Sequence, residues 1–254
     1  MHKFVLFNQQ LLLNSDPKIV AVSSAAIYGK GIFTTLTIKE KKAFLWEKHW
    51  RRLNDNALKI GIDLSEFSEE FLTRALERLI KKNEIETARA RITFFDESAS
   101  KIWDFETERK TSLLITTAGL REVPDNFRLT VSPFLVNSTS PLAGIKSCNY
   151  LENILAFEEA QRRGFDEAVR INERGEIVSA CMANIFWRKD QKLFTPGLKT
   201  GCLAGTTREF VLENESGIEI EAELDVLKTA DEIFLTSAGL GICPVLEFDG
   251  KRKE

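Results

Sequence analysis

The sequence predicts an α+β fold built from two domains. Period-two alternation typical of strands and 3.6-residue periodicity typical of helices occur in both halves of the chain. Residues 119–126, which contain glycine and proline, separate the halves and have the composition of a linker. The 254 residues are enough for two cores of ordinary size. We therefore expect an N-terminal domain at residues 1–118 and a C-terminal domain at residues 127–254.

In the first half, predicted strands and two helices alternate. Helix 47–60 places Trp50, Leu53, Ala57 and Leu58 on one face. A second helix runs to about residue 82, and Ser65 or Ser68 is its N-cap. The strands are predicted from alternation and from β-branched and aromatic content at residues 4–7, 11–13, 34–38, 43–46, 88–95 and 112–117.

In the second half, helices are predicted at residues 149–163 and 206–214. Residues 167–172 and 176–180 flank the turn Glu173-Arg174-Gly175, a hairpin signal. Further strands are expected at residues 127–131, 184–188, 192–194 and 232–236. These elements complete the α+β prediction.

Composition excludes several classes of partner. Hydrophobic residues make up 43% and charged residues 29% of the chain, which is typical of a globular protein. The net charge of −3 gives no sign of binding to nucleic acid or to an anionic membrane. Apolar runs fall short of the roughly 20 residues that span a bilayer. The N-terminus is interrupted too early for a signal peptide, so we expect a cytoplasmic protein.

Cysteine and histidine are too sparse to supply the chemistry. The four cysteines (Cys148, Cys181, Cys202 and Cys243) form no CxxC pair, and we interpret them as reduced, partly buried thiols. Two histidines are too few for a histidine metal site or a convincing nucleophile–base pair. Any reaction therefore needs an imported cofactor, and no metal is expected.

A single lysine in an apolar setting, followed by a small-residue turn that opens a helix, is what an aldehyde cofactor that carries a phosphate requires; Asn184-Ile185-Phe186 and Thr195-Pro196 lie between the two. Lys146 stands in the sequence Gly-Ile-Lys-Ser-Cys-Asn-Tyr-Leu-Glu-Asn, residues 144–153. A small-residue turn, Gly205-Thr206-Thr207, then opens a helix, where free N–H groups and the helix dipole suit a dianion. His49-Trp50-Arg51-Arg52-Leu53 precedes both. Taken alone, each has an ordinary alternative: a solvated lysine, a plain helix cap and a surface arginine.

This ordered set resembles the class IV aminotransferase family, the pyridoxal-phosphate (PLP) enzymes of fold type IV. The family includes branched-chain and D-amino-acid aminotransferases and 4-amino-4-deoxychorismate lyase. The resemblance implies a smaller N-terminal domain, a larger C-terminal domain and PLP between them. It also implies a homodimer, and the apolar residues Phe4, Phe7, Ile32 and Phe33 would suit an interface.

The resemblance assigns cofactor roles to individual residues. Lys146 is the expected Schiff-base lysine, and apolar Leu142 and Ile145 would lower its pKa. Arg52 matches the arginine of the family's His-x-x-Arg-Leu, which binds phosphate as a two-pronged donor. Tyr150, four residues after Lys146, could donate to the phenolic oxygen if both lie on one helical face; a core tyrosine is the alternative. The resemblance also places Asn184, Ser237 and Ala238 at the cofactor, together with Gly205, Thr206 and Thr207.

Ser179 departs from the family pattern. The family has Gly-x-x-x-Glu-x-x-x-x-Asn, which Gly175 and Asn184 match at the right spacing, and Ser179 stands where Glu belongs. A carboxylate there keeps the ring nitrogen protonated, whereas a hydroxyl can only hydrogen-bond an unprotonated nitrogen. With an unprotonated ring nitrogen, the carbanion formed on the substrate is less delocalised into the ring. Transamination, which must reprotonate the cofactor carbon, suffers more than elimination, in which the electrons leave with a departing group. The alternatives are that another acid substitutes, or that the protein binds PLP without catalysis.

Two further segments favour the lyase within the family. Residues 28–35, Tyr-Gly-Lys-Gly-Ile-Phe-Thr-Thr, resemble its Gly-x-Gly-x-Phe-Thr-Thr, which makes Thr34 or Thr35 a candidate proton relay and Tyr28 a substrate contact. Residues 235–240, Leu-Thr-Ser-Ala-Gly-Leu, also look closer to the lyase than to the Gly-Thr-Ala phosphate segment of the branched-chain enzymes. Separately, Arg91 matches a position where the family often has a basic residue near the substrate, where it would bind a carboxylate; a water-facing arginine is the alternative. The expected reaction converts aminodeoxychorismate to 4-aminobenzoate and pyruvate. An aminotransferase is the second hypothesis.

Overall fold

The computed structural model describes residues 1–99 and 110–252. The chain divides into two compact units, each considered by itself. The first comprises Met1–Leu120 with Lys146–Asn149, and the second comprises Arg121–Ile145 with Tyr150–Glu254. Lys146 is thus separated from most of its neighbours in sequence and belongs to the first unit.

The first unit is a single antiparallel sheet with two long helices. Its strands have the order β2-β1-β6-β5-β3-β4. Chain order gives β1 (Phe4–Phe7), β2 (Gln10–Leu13), α1 (Ser24–Tyr28), β3 (Gly31–Lys39), β4 (Lys42–Ala43), α2 (Trp46–Ile60), α3 (Glu69–Lys82), β5 (Ala88–Asp96) and β6 (Thr111–Ala118). Strand β3 pairs with β5 along its whole length, from Gly31 opposite Phe95 to Ile38 opposite Ala88.

The two long helices are amphipathic and bury one face each. Helix α2 buries Leu53 and Ala57, whereas Leu58 is 85% exposed. The sequence prediction for Leu58 was wrong because one residue beyond Ala57 turns the side chain by about 100°. Helix α3 begins after Ser68, whose hydroxyl accepts the N–H of Phe71, and this settles the choice between Ser65 and Ser68.

The second unit contains two sheets, ordered β12-β11-β10-β13-β14 and β16-β15-β7-β8-β9. Its elements are β7 (Arg128–Val131), α4 (Leu151–Arg162), β8 (Glu167–Ile171), β9 (Ile177–Ala180), β10 (Asn184–Lys189), β11 (Lys192–Pro196), a 3-10 turn (Leu198–Thr200), α5 (Thr206–Asn214), β12 (Gly217–Ile220), α6 (Asp225–Lys228), β13 (Glu232–Ser237), β14 (Gly241–Pro244), β15 (Glu247–Phe248) and β16 (Lys251–Arg252). The sequence prediction missed α6, β12 and β14 to β16, which are too short to show a period.

The main core of the second unit takes side chains from both sheets. Val169 and Ile177 from one sheet join Ile185, Trp187 and Leu235 from the other, and all are buried. Alternation along each strand leaves the opposite faces for helices. Small alanines of α4 pack near β8, and Val211 of α5 packs on Phe186 and Phe234. The mixed α and β architecture confirms the predicted fold class.

Within the described part of the chain, no helix combines the length and the apolar character needed to cross a membrane.

Candidate active site

Main-chain hydrogen bonds fix the segment that carries Lys146 to the start of β3. The Phe33 N–H donates to the Lys146 carbonyl at 2.9 Å, and the Cys148 N–H donates to the Gly31 carbonyl at 2.8 Å. Gly31 allows this approach because a Cβ there would lie 2.8 Å from the Phe94 carbonyl oxygen and 2.9 Å from the Cys148 sulfur. The position of Lys146 is therefore set by strand β3 and not by a helix.

The amine of Lys146 lies over an aromatic ring and among cations. Its Nζ is 4.5 Å from the centroid of Phe33, and the Arg91 guanidinium carbon is 3.5 Å from the same centroid. Burial, then the charges of Arg52 and Arg91, lower the pKa of Lys146 to about 7. The lowered pKa makes the neutral amine, which is the nucleophilic form, accessible near neutral pH. The two arginines also make this region attractive to anions.

Thr34 connects Arg52 to a buried histidine. Arg52 Nη2 donates to Thr34 Oγ1 at 2.7 Å, and the same oxygen lies 2.7 Å from His49 Nδ1. Thr34 and His49 are both buried. Burial, Arg52 and Lys146 lower the pKa of His49 to about 3, so its imidazole is neutral at physiological pH. The histidine therefore acts as a neutral hydrogen-bonding partner of the Thr34 hydroxyl.

The two candidate relay threonines lie on opposite faces of the sheet. Thr34 points toward α2, where it meets His49 and Arg52. Thr35 pairs across the strands with Arg91, so its side chain shares a face with Arg91. Thr35 is half-buried, and Thr34 is fully buried. Thr35 is consequently better placed than Thr34 to meet a ligand beside Arg91.

Tyr28 ends helix α1 and is 45% exposed. The next residue, Gly29, has a positive φ of 65°, and its carbonyl accepts a hydrogen bond from Asn149 Nδ2 at 3.1 Å. A Cβ at Gly29 would lie 2.9 Å from Asn149 Oδ1. The segment that carries Tyr28 is therefore attached to the segment that carries Lys146, within the first unit.

In the second unit, the N-terminus of α5 has no side-chain cap hydrogen bond. Its N-cap is Gly205, which has no side chain to cap the helix, and Thr206 and Thr207 follow as buried residues. Asn184 Nδ2 donates to the Leu203 carbonyl at 2.8 Å, which fixes the preceding loop. A Cβ at Gly205 would overlap Asn184 Oδ1, so this position requires glycine. Asn184 thus shapes the turn.

Ser237 is the last residue of strand β13, and Ala238 follows it. Asn184 pairs with Thr236 across β10 and β13. Thr236 Oγ1 is buried and makes no hydrogen bond with the residues that the structure describes. Ser237 Oγ accepts the Leu240 N–H at 3.1 Å. An unsatisfied buried hydroxyl is costly, and a polar ligand at this end of the strand would offset that cost.

Ser179 lies half-buried on β9, opposite Arg170 of β8. No acidic side chain stands at the position in the sequence where the family has its glutamate. Tyr150 precedes α4, which begins at Leu151, and is therefore outside the helix, as is Lys146. The condition under which Lys146 and Tyr150 would share a helical face is not met, because α4 begins only after both residues.

These features fit PLP. A neutral amine suits its aldehyde, and an uncapped helix N-terminus with nearby buried hydroxyls suits its phosphate. Lys146 and Arg52 belong to the first unit, while Gly205, Thr206 and Asn184 belong to the second. These features are of the kind that PLP requires from a protein.

Comparison with known proteins gives the family. The profile of the amino-transferase class IV family matches residues 31–248. The chain belongs to the class IV aminotransferase family. It is 28% identical to the aminodeoxychorismate lyase of Bacillus subtilis strain 168, over 96% of this chain and 86% of that protein. It is 30% identical to the D-alanine aminotransferase of Listeria monocytogenes, over 97% and 88% of the two chains.

A solved structure shows the same architecture. The branched-chain aminotransferase of Thermoproteus uzoniensis, crystallised with norvaline, superposes with a TM-score of 0.92 at 25% identity. The match covers 100% of this chain and 90% of that one. All three relatives are enzymes, which does not favour the hypothesis that this protein binds PLP without catalysis. They differ in reaction, so family membership alone does not choose between lyase and aminotransferase.

Sequence reasoning missed two residues in the first unit and one in the second. Phe33 was considered only as an apolar interface residue, although its ring lies against Lys146 and Arg91. His49 was noted as part of the arginine motif, without its contact to Thr34. Arg170 could have been noticed in the sequence, because it is a charged residue among the apolar residues Ala168, Val169 and Ile171 of a predicted strand.

Proposed function

We propose that this protein is a PLP-dependent lyase that converts 4-amino-4-deoxychorismate to 4-aminobenzoate and pyruvate. Ser179 carries the proposal, because a hydroxyl replaces the carboxylate that would keep the ring nitrogen protonated. The reaction is an elimination followed by aromatisation and needs no external oxidant or reductant. The similarity to the Bacillus subtilis lyase over nearly the whole chain supports this choice.

The proposed roles follow from the chemistry of each side chain. PLP, when bound, supplies an aldehyde for the substrate amine and a ring that withdraws electrons. Lys146 Nζ accepts the proton from the substrate carbon that bears the amine, and the bond to the enolpyruvyl oxygen breaks. The same amine then returns a proton to the departing carbon fragment, which becomes pyruvate. Thr35 is the proposed relay for this proton.

Anionic groups have separate proposed partners. Arg91 binds a substrate carboxylate, because it lies beside Lys146 and presents a two-pronged donor. Arg52 is one proposed partner of the cofactor phosphate, and the N–H groups and hydroxyls of Thr206 and Thr207 are a second proposed partner. Thr34 and His49 hold Arg52 in place. Tyr28, Tyr150, Asn184, Ser237 and Ala238 stay proposed contacts of substrate or cofactor.

An amino-acid aminotransferase is the second candidate. The similarity to the Listeria D-alanine aminotransferase and to the Thermoproteus branched-chain enzyme favours it. This reaction must return a proton to the cofactor carbon, a step that benefits from a protonated ring nitrogen. The presence of Ser179 therefore places this candidate second.

Product analysis of the purified protein with PLP separates the two candidates. Aminodeoxychorismate should yield 4-aminobenzoate and pyruvate in equal amounts, and amino acids with a keto acid should yield little transfer. Lys146→Ala is the control and should abolish both reactions. Efficient transfer from ordinary amino acids without pyruvate release from aminodeoxychorismate would reverse the assignment.

Ser179→Glu tests the reasoning behind the choice. It should raise keto-acid release from amino acids relative to pyruvate release from aminodeoxychorismate, because a carboxylate favours a protonated ring nitrogen. Ser179→Gln has similar bulk without charge and is the matched control. An unchanged ratio in the glutamate variant would contradict the proposed role of Ser179.

A further inference from the structure

Strand β8 carries a buried cation directly opposite Ser179. Arg170 is only 1% exposed, and it pairs with Ser179 in the antiparallel register of β8 and β9. Residues opposite each other in such a pair leave the sheet on the same side. One face of the sheet thus carries a hydroxyl, where the family has a carboxylate, and a guanidinium beside it.

The positive charge of Arg170 is poorly neutralised. Its Nε donates to the Phe134 carbonyl at 3.3 Å, and its Nη2 donates to the Leu135 carbonyl at 3.1 Å. The salt-bridge partner is Glu152 of α4, whose carboxylate oxygen lies 3.7 Å away on a side chain that is 70% exposed. Carbonyl dipoles and a solvated carboxylate stabilise a buried cation less than a buried acid would.

Two other titratable groups lie near this face. The Cys181 thiol has its pKa raised to about 12 by burial and by Glu167, against a smaller opposing influence of Arg170. Glu167 accepts the N–H groups of Ala168, Cys181 and Met182, and burial raises its pKa to about 7. Glu167 is therefore committed to the turn after β9. The one carboxylate paired with Arg170 among the described residues is Glu152.

We propose that Arg170 is a positioning residue whose buried charge, acting with the Ser179 hydroxyl, keeps the PLP ring nitrogen unprotonated. The inference rests on the proposed function in one respect, that the ring nitrogen faces Ser179. A guanidinium stays charged at every physiological pH, and a nearby cation disfavours the gain of a second positive charge. Ser179 can then donate its hydroxyl proton to the nitrogen lone pair. Arg170 and Ser179 together favour elimination over transamination.

The test is NMR of the protein loaded with PLP that carries 15N at the ring nitrogen. The parent should show an unprotonated nitrogen at neutral pH. Arg170→Met should increase the proton affinity of that nitrogen by about tenfold or more, equivalent to one unit on the pH axis. Arg170→Lys keeps the charge and should behave like the parent. An identical titration in parent and Arg170→Met would show that Arg170 only ties Phe134 and Leu135 to β8.

A second variant covers the case in which Arg170→Met fails to fold. Arg170→Gln removes the charge and keeps a polar side chain that can donate to the Phe134 or Leu135 carbonyl. It should raise the proton affinity of the ring nitrogen as Arg170→Met does. A folded Arg170→Gln variant with the titration of the parent would overturn the proposal.

The same spectra separate failure of this proposal from failure of the proposed function. A protonated nitrogen in the parent would reject the role of Arg170 and leave PLP binding intact. PLP that binds through a lysine other than Lys146, identified by borohydride trapping and peptide analysis, would instead reject the proposed function.

Discussion

At the residue scale, one hydroxyl joins two side chains of very different character. Thr34 Oγ1 accepts a hydrogen bond from Arg52 and shares another with His49. The imidazole stays neutral because burial and two cations oppose its protonation. The Thr34 hydroxyl orients Arg52 and, being uncharged, contributes no neutralising charge of its own.

Thr34→Val should weaken PLP binding. The variant keeps the shape of the side chain but removes the acceptor for Arg52 and leaves the His49 ring nitrogen without this partner. Arg52 then loses the acceptor that orients it, and we expect the dissociation constant for PLP to rise about tenfold. Thr34→Ser keeps the hydroxyl and should bind nearly as tightly as the parent. Equal affinity in the valine variant would reject the anchoring role.

The lowered pKa of Lys146 predicts how PLP capture depends on pH. The folded pKa of about 7 lies below the ordinary value of 10.5, so the neutral amine appears as pH rises through about 7. The rate of covalent capture, followed by absorbance, should rise up to that pH and then level off. Arg91→Met removes one of the two cations and should move the rise to higher pH. A parent rate still climbing toward pH 10 would indicate an ordinary exposed lysine.

At the scale of elements, the site depends on where strands and helices begin. Strand β3 fixes Lys146 through main-chain hydrogen bonds, and α5 begins at a glycine pressed against Asn184. Both contacts require glycine, because a Cβ at Gly31 or at Gly205 would overlap a neighbouring atom.

Gly205→Ala should disturb the start of α5. The added methyl group would collide with Asn184 Oδ1, so either the turn or the Asn184 bond to Leu203 must shift. Overpacking of this kind costs about 1–3 kcal/mol in the free energy of unfolding, and PLP affinity should fall as well. Gly119→Ala, which meets open space, is the control. Calorimetry and PLP titration measure both effects, and parent-like values for Gly205→Ala would refute this account.

At the scale of the whole molecule, the prediction is a homodimer. Ile32 and Phe33, two of the residues expected to suit its interface, are 0% and 3% exposed and therefore lie inside the first unit. The structure offers a different apolar surface near α1, where Ile19, Val22 and Ile27 are 54%, 62% and 51% exposed. If these side chains form a contiguous patch, they have the character of an interaction surface.

Replacing Val22 and Ile27 by aspartate should favour the monomer. Two charges in an apolar interface would be buried without partners, which disfavours association. Sedimentation at micromolar concentration with PLP present should give about twice the chain mass of 28.8 kDa for the parent and a lower mass for the variant. Leu58→Asp, on an exposed face of α2, is the control. A monomeric parent would contradict the dimer, and a dimeric variant would contradict this interface.

The sequence by itself determined the fold class and the candidate cofactor motifs. Periodicity marks α2, α3 and the long strands, because burial of one face imposes a repeat of 3.6 or 2 residues. The order of the motifs pointed to Lys146, Arg52 and Gly205. A covalent bond to PLP needs a lysine, a phosphate favours an arginine, and a tight turn before a helix favours a glycine. Ser179 was visible in the same way, as a departure from a spaced pattern.

Only the tertiary structure decided which neighbours these residues have. Contacts such as Thr34 with His49, or Arg170 opposite Ser179, join residues through strand register and helix packing, which local sequence does not specify. The pKa of Lys146 likewise depends on burial and on Arg52 and Arg91, which lie far from it in the chain. The start of α4 at Leu151 shows the same limit, because tertiary pairing with β3 holds residues 146–148 out of the helix.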